Sequence, residues 1–134
     1  MSNWRRVDSF ILYKGITPKY IEQSSIIVLN QKCIRNNHID YSYAQYTDDS
    51  VKIKDAAFIE VGDILINSTG QGTAGRCAFV DKLPQNRVVV DSHILRLKCN
   101  SYYEAQCLAY SLYSIEGLLQ TFIDGSTGQG EFDK

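Results

Sequence analysis

The stretch from Ile64 to Val80, ILINSTGQGTAGRCAFV, constrains the fold more than any other part of this chain. An apolar arm, Ile64-Leu65-Ile66, runs into a small polar loop holding Gly70, Gly72 and Gly75. Arg76-Cys-Ala-Phe-Val80 is the apolar return arm. The first arm consists of strand formers after a Gly62-Asp63 turn signal. The pattern predicts a β-hairpin, or closely paired strands, with an exposed Gly-rich loop. That loop displays Asn67, Ser68, Thr69, Gln71, Thr73 and Arg76, whose side chains donate or accept hydrogen bonds.

The same stretch matches Gly-x-Gly-x-x-Gly from Gly70 to Gly75, and Asp91 follows about 20 residues on, as in a dinucleotide-binding fingerprint. The context argues against that reading. Asn67-Ser-Thr69 is polar where the fingerprint needs a buried strand. Pro84 arrives nine residues after Gly75, too soon for a crossover helix and loop. No strand-helix-strand units follow to build a doubly wound sheet.

A chain of 134 residues forms one domain with a sizeable core. Its 44% hydrophobic and 22% charged residues are ordinary for a globular protein. No apolar run reaches membrane-span length, and MSNWRRVDSF is not a signal peptide, so a cytoplasmic protein without a membrane partner is expected. Cys33, Cys77, Cys99 and Cys107 are far apart and read as small buried residues, not as metal ligands or a disulfide frame. His38 and His93 have no partner at ligand spacing. No metal and no cofactor are expected.

Net charge is −1, but its distribution is uneven. Residues 1–37 carry six Lys/Arg against two acids, and residues 76–98 five against two. The intervening and final segments are acidic. The two basic blocks are able to share a face, although from charge alone a normally solvated surface is the better explanation.

Taken in order, Phe10 to Tyr13 is apolar and leads to a turn, Gly15-Ile-Thr-Pro18, flanked by Lys14 and Lys19. Ser25 to Asn30 reads as a short strand, followed by the basic segment Gln31 to His38. Tyr41 and Tyr43 would share one face of a strand. Arg87 to Leu97 reads as the longest strand, with His93 and Ser92 on opposite faces. Ser101-Tyr-Tyr-Glu104 resembles a capping box. Ala105, Leu108, Leu112, Ile115, Leu119 and Phe122 then form an apolar helical stripe that should pack on the sheet. Gly117 is a candidate break and Gly125 a candidate C-cap. The expected fold class is α+β: a small, mixed, mostly antiparallel sheet with Gly-rich hairpin loops and a C-terminal helical segment.

Catalytic signatures are missing from the sequence. Pro18 and Pro84 are isolated, so no Pro-Pro-aromatic methyltransferase motif exists. There is no Glu-x-Lys or Asp-x-Lys of a metal-dependent nuclease, no Walker lysine and no Gly-x-Ser-x-Gly elbow. Asp91-Ser-His93 has the composition of a catalytic triad but not the strand geometry of one.

Several segments together resemble the target recognition domain of type I restriction–modification specificity subunits. They are Val28 to Arg35 with Ile39-Asp40; Gly62 to Gly70 with Gly72 to Arg76; Val90-Asp-Ser-His93; and Gly125 to Gln129 with Glu131. Trp4 and the Gly15-Ile-Thr-Pro18 turn also fit, and the landmarks are in order over nearly the whole chain. The segment from Pro18 to Ile26 is shorter than in many relatives. The resemblance implies that residues 1–134 are a single recognition domain, without the long spacer helix and second recognition domain of a full subunit. Such a domain binds one half of a bipartite double-stranded DNA target and does no chemistry itself. Its implied partners are a methyltransferase (modification) subunit and, through it, the restriction subunit, with a homodimer if the chain is a natural half-subunit.

The DNA-contacting candidates are Lys14, Thr17 and Lys19; Gln31, Lys32, Arg35 and Asn36; Thr69, Gln71, Thr73 and Arg76; and Ser126, Thr127 and Gln129. Amide and guanidinium groups read base edges bidentately, and lysines hold phosphates. Gln31 and Arg35 are therefore expected as readers, and Lys14, Lys19 and Lys32 as clamps. Gly70, Gly72, Gly75 and Gly125 are expected as structural turns. The competing reading is a protein-interaction remnant that binds a methyltransferase partner or itself without reading DNA.

Overall fold

The computed structural model describes residues 10–70 and 72–118. In chain order the strands are β1 (Phe10–Lys14), β2 (Tyr20–Ile21), β3 (Ile26–Leu29), β4 (Ile34–Arg35), β5 (His38–Ile39), β6 (Gln45–Thr47), β7 (Ile64–Asn67), β8 (Cys77–Phe79), β9 (Arg87–Val90) and β10 (Ile94–Cys99). Helix α1 (Tyr102–Ser114) follows them. One four-stranded sheet has the order β1-β10-β7-β8 and is antiparallel throughout. The other has the order β2-β6-β3-β9, with β3 and β9 parallel. β4 and β5 form a separate hairpin.

The expected hairpin is present: β7 and β8 pair antiparallel, with Ile64 opposite Phe79 and Ile66 opposite Cys77. Residues 72–75 form turns and no helix starts there, which removes the dinucleotide reading. β7 is buried along its whole length, for a reason its alternation reveals. Ile64 and Ile66 face α1 together with Cys77, Leu95 and Leu97. Leu65 faces the second sheet together with Ala78, Val80 and Ile94, meeting Leu29, Val88 and Val90. The first sheet is thus sandwiched between α1 and the second sheet, and a strand covered on both faces is apolar at every position. The outer face of the second sheet, Ile26, Val28 and Val89, packs under Ile53, Ala57 and Phe58.

Three readings of the sequence are corrected. Arg87 to Leu97 is not one strand. Asp91 ends β9, and the Ile94 N–H closes a turn on the Asp91 carbonyl at 3.1 Å, so β9 and β10 lie in different sheets. The Asp91 carboxylate accepts from the His93 backbone N–H at 2.9 Å, an Asx turn that competes successfully with continued pairing. Tyr41 and Tyr43 lie in a 3-10 turn capped by the Asp40 side chain, not in a strand. Of the cysteines, Cys33 and Cys77 are buried, but Cys107 is exposed and Cys99 half-buried.

In the helix, Ser101 accepts from the Glu104 N–H as its N-cap. Ala105 and Ala109 are buried, and Leu108, Leu112 and Tyr113 pack on the same cluster. Ile115 departs from the expected stripe, 39% exposed, because its backbone (φ −115°, ψ 13°) has left the helix. The break therefore comes before Gly117. Leu119, Phe122 and Gly125 lie outside the described residues.

The chain changes sheets at two places, and the two places touch. β1 leaves the first sheet at Gly15-Ile16, and β9 leaves the second at Asp91. Ile16 N–H donates to Val90 at 2.9 Å and Gly15 N–H to Ile94 at 3.2 Å. A Cβ on Gly15 would sit 1.9 Å from the Asp91 carbonyl oxygen, so only glycine fits. Burial pushes the Asp91 carboxyl above the usual carboxylate range, opposed by the His93 N–H and charge and by the Tyr20 hydroxyl.

Gly15→Ala should destabilise by about 3 kcal/mol or more, because backbone must move to admit the methyl. Leu112→Ala, at a half-buried site, should cost about 2 kcal/mol, and Ile115→Ala less than about 0.5 kcal/mol. Chemical denaturation measures all three. A raised carboxyl pKa stabilises the fold at low pH and loses that contribution as pH rises through the folded value. Asp91→Asn should therefore gain stability relative to the parent as pH goes from about 3 to about 7, and an unchanged difference over that range would refute the assignment.

Candidate functional site

Asn30 follows β3 in extended conformation and caps a 3-10 turn over Gln31–Cys33, its side chain accepting from the Lys32 N–H. Its amide nitrogen donates to the Tyr43 carbonyl at 2.9 Å and to Gln45 Oε1 at 3.3 Å. Both ends of the turn are thereby held. Gln31 then meets the β7–β8 loop. The buried Asn67 amide donates to the Gln31 carbonyl at 3.0 Å and to the Thr73 carbonyl at 3.2 Å. Asn67 reaches Gln31 because it shares the inter-sheet face of β7 with Leu65, in register with Ile94.

The loop is closed by its own backbone. Thr73 and Ala74 N–H groups donate to the Gly70 carbonyl, Gly75 N–H to Asn67, and Asn67 N–H to Arg76. Gly70 has φ +102°. A Cβ there would lie 2.1 Å from Thr73 Oγ1 and 2.9 Å from Gln31 Nε2, so the glycine is both a turn residue and the seat of the Gln31 amide.

The turn between β9 and β10 completes the cluster. Ser68 donates to the His93 carbonyl through its N–H (2.9 Å) and its hydroxyl (3.0 Å). Thr69 Oγ1 stands 3.2 Å from Gln31 Oε1 and 2.8 Å from His93 Nδ1. Three segments far apart in sequence thus meet in one hydrogen-bonded chain, Gln31–Thr69–His93. Of the expected site residues, Gln31, Thr69 and Thr73 come together here.

Arg35 sits elsewhere on the same β3–β6 connection. Its guanidinium lies 4.6 Å from the Tyr43 ring centroid and donates to the Tyr43 hydroxyl at 3.2 Å. Asn36 and Asn37, at φ +52° and +62°, form the two-residue tip of the β4–β5 hairpin, where a mirror-image turn needs left-handed residues. Lys32 and Arg76 have no ion-pair partner among the described residues.

Lys14, Thr17 and Lys19 belong to a separate patch. Thr17 and Lys19 line a cavity of about 330 Å³ with Lys52 and Lys54, and Lys14 lines an adjoining one of about 150 Å³ with Lys54. None of these four lysines has an ion-pair partner among the described residues. Lys52 and Lys54 were not singled out from the sequence, where their block is net acidic. Their acidic neighbours bond elsewhere: Asp48 to Ser50, Asp49 to Ser25 and Asp55 to Arg87. Gln71, Ser126, Thr127 and Gln129 lie outside the described residues.

The groups that resemble catalytic ones are otherwise engaged. The Asp91 carboxylate holds the backbone of His93, and the ring faces Thr69, so Asp91, Ser92 and His93 do not line up as a triad. Burial pushes the Cys33 thiol up to about 11 and the Cys77 thiol up to about 12, which keeps both protonated at neutral pH. No group of three His, Cys, Asp or Glu side chains among the described residues is placed to hold a metal ion. No helix among them is long and apolar enough to cross a membrane.

Sequence reasoning missed His93 as a site member, and it weighed the tyrosines at 41 to 46 as packing residues before base-stacking ones. His93 was read on a continuous strand, and only the sheet switch at Asp91 turns it toward Thr69.

No family model matches the sequence, and no curated protein matches it. Among solved structures, the fold is similar to that of a chain from work on the structural basis of complex assembly and conformational transition of the type I R-M system. The TM-score is 0.66 at 14% identity, and the match covers 98% of this chain and 30% of that one. This chain, 30% of the length of the chain it matches, therefore shares a fold with part of a protein in a structure of the type I R-M system.

Proposed function

We propose that this chain is a non-catalytic module that binds double-stranded DNA sequence-specifically and gives a type I restriction–modification complex one half of a bipartite target. It is a single target recognition domain that works with a methyltransferase subunit and, through it, with the restriction subunit. The observation that carries this reading is the cluster of Gln31, Thr69 and His93. It presents an amide on loops held by two sheets, and the amide's NH2 has no acceptor among the described residues. An amide in that setting suits base-edge contact in the major groove. The likeness of fold to a chain in a type I R-M structure supports the same reading. The unpaired Lys32 is the nearest phosphate clamp along the sequence, and the lysine patch around Lys14, Lys19, Lys52 and Lys54 supplies others.

A second reading, a protein-interaction module, is favoured by the outer face of α1. Tyr102, Tyr103 and Tyr110 are 48%, 73% and 64% exposed there, and tyrosines are enriched at protein interfaces. The two readings are compatible if that face takes the methyltransferase subunit.

Binding to duplex libraries, by the chain alone and with type I modification subunits, tests the proposal. Lys32→Ala should weaken all duplexes alike and lower the salt slope by about 1. Gln31→Ala should cost about 1–3 kcal/mol at one base position only. If neither variant changes affinity or preference, the 31–36 segment is scaffold and recognition lies in the other loops or in the tyrosines at 41 to 46; if the parent binds no duplex, the interaction reading prevails. The chain alone should neither transfer methyl groups from S-adenosylmethionine nor cut DNA.

A further inference from the structure

We infer that Thr69 and His93 set specificity by locking the Gln31 amide with its NH2 outward, so that Gln31 reads a base edge made of acceptors, guanine before adenine. This inference rests on the DNA-binding reading proposed above and concerns the polarity of that one contact.

A threonine hydroxyl has one proton to donate. Thr69 Oγ1 donates to Gln31 Oε1 at 3.2 Å, so toward His93 it is able only to accept. The proton in the 2.8 Å contact with His93 must then come from Nδ1. A neutral His93 carrying its proton on Nδ1 has a bare Nε2. The chain runs in one direction, His93 Nδ1–H to Thr69 and Thr69 O–H to Gln31 Oε1, and the Gln31 NH2 is left without an acceptor among the described residues.

Turning the amide over reverses every link. Gln31 Nε2 would donate to Thr69, Thr69 would donate to a bare Nδ1, and the ring proton would move to Nε2. Gln31 would then present an oxygen to the outside. The two arrangements have opposite polarity at the reading edge, and the His93 tautomer tells them apart. A free glutamine pairs with adenine by accepting from N6 and donating to N7. With one Oε1 lone pair taken by Thr69, the amide offers its two N–H donors first, which suits the two acceptors of guanine, O6 and N7, better than adenine, whose amino group needs that oxygen.

Gly70 and Asn67 make the lock rigid. A Cβ on Gly70 would stand 2.9 Å from the Gln31 nitrogen and 2.1 Å from Thr73 Oγ1, so only glycine leaves the amide its place. The Gln31 backbone is tied through its carbonyl to Asn67. Thr69 itself is anchored by a bond from the Thr73 hydroxyl to its carbonyl, 3.3 Å. Thr69 and His93 are positioning residues that act through Gln31.

Two measurements test the inference. Nitrogen-resolved NMR of the His93 ring in the free chain at neutral pH should show the Nδ1–H tautomer; an Nε2–H tautomer overturns the lock. Duplex binding is then compared with guanine, 7-deazaguanine or adenine at the position that Gln31→Ala desensitises. The parent should prefer guanine about tenfold over both alternatives. Thr69→Val, with an unchanged thermal midpoint, should bring that preference within about threefold, and Thr69→Ser should restore it. A preference for adenine, or a Thr69→Val chain that keeps the parent's preference, overturns the inference while leaving the DNA-binding reading intact. If Thr69→Val fails to fold, the ring tautomer and the parent's base preference decide. Absence of duplex binding by the parent, alone and with modification subunits, overturns the DNA-binding reading and this inference with it.

Discussion

The approach of Gly15 to Asp91 is the constraint on which the rest of the structure depends. Two segments run side by side in parallel there, one leaving the antiparallel sheet after β1 and the other entering it before β10. Backbone hydrogen bonds from Gly15 and Ile16 to Ile94 and Val90 join the crossing points. The sheets are thereby held at a distance that lets Leu65 and Ile94 of one meet Val88 and Val90 of the other. A side chain at position 15 would force the crossing strands apart and open that core.

A second constraint sits in the same layer. Arg96 belongs to the inter-sheet face of β10, opposite Leu65, and is nearly fully buried. Its Nε donates to Asp63 at 2.7 Å, and it also bonds the Ala56 carbonyl and lies 5.0 Å from the Tyr13 ring centroid. Asp63 in turn accepts from the Glu60 N–H at 2.8 Å. A buried charge pair costs desolvation and tolerates no loss of one partner, so it fixes geometry more than it adds stability. Here it fixes the entry to β7, the strand that leads directly into the loop carrying Thr69.

The site follows from those two constraints. The crossing at Asp91 turns His93 toward the β7–β8 loop, and Asn67 at the end of β7 ties that loop to Gln31. Each contact is an ordinary neutral hydrogen bond of modest net worth. Together they hold Gln31, backbone and side chain, on rigid elements from distant segments, the preorganisation that a specific contact requires. The lysine patch beside Ile16 hangs on the same crossing, so the patch and the Gln31 amide are positioned by one structural device.

The sequence by itself determined the local pieces. Apolar arms around a Gly-rich loop dictated the β7–β8 hairpin, and a Ser101 cap with apolar spacing dictated α1 and its buried stripe as far as Leu112, because both patterns act over a few residues. It also held the candidate residues Gln31, Thr69 and Thr73, whose side chains have the right chemistry wherever they fall. Tertiary structure decided which of them meet. Arg87 to Leu97 reads as one strand because an apolar run carries no mark of which sheet it belongs to; the Asx turn at Asp91 and the tight passage at Gly15 make the switch. His93 and Tyr43 became site residues only through that switch and through the 3-10 turn at Tyr41–Tyr43. Periodicity reports which face is buried, but the partner across that face comes from contacts between distant segments, and those exist only once the sheets have packed.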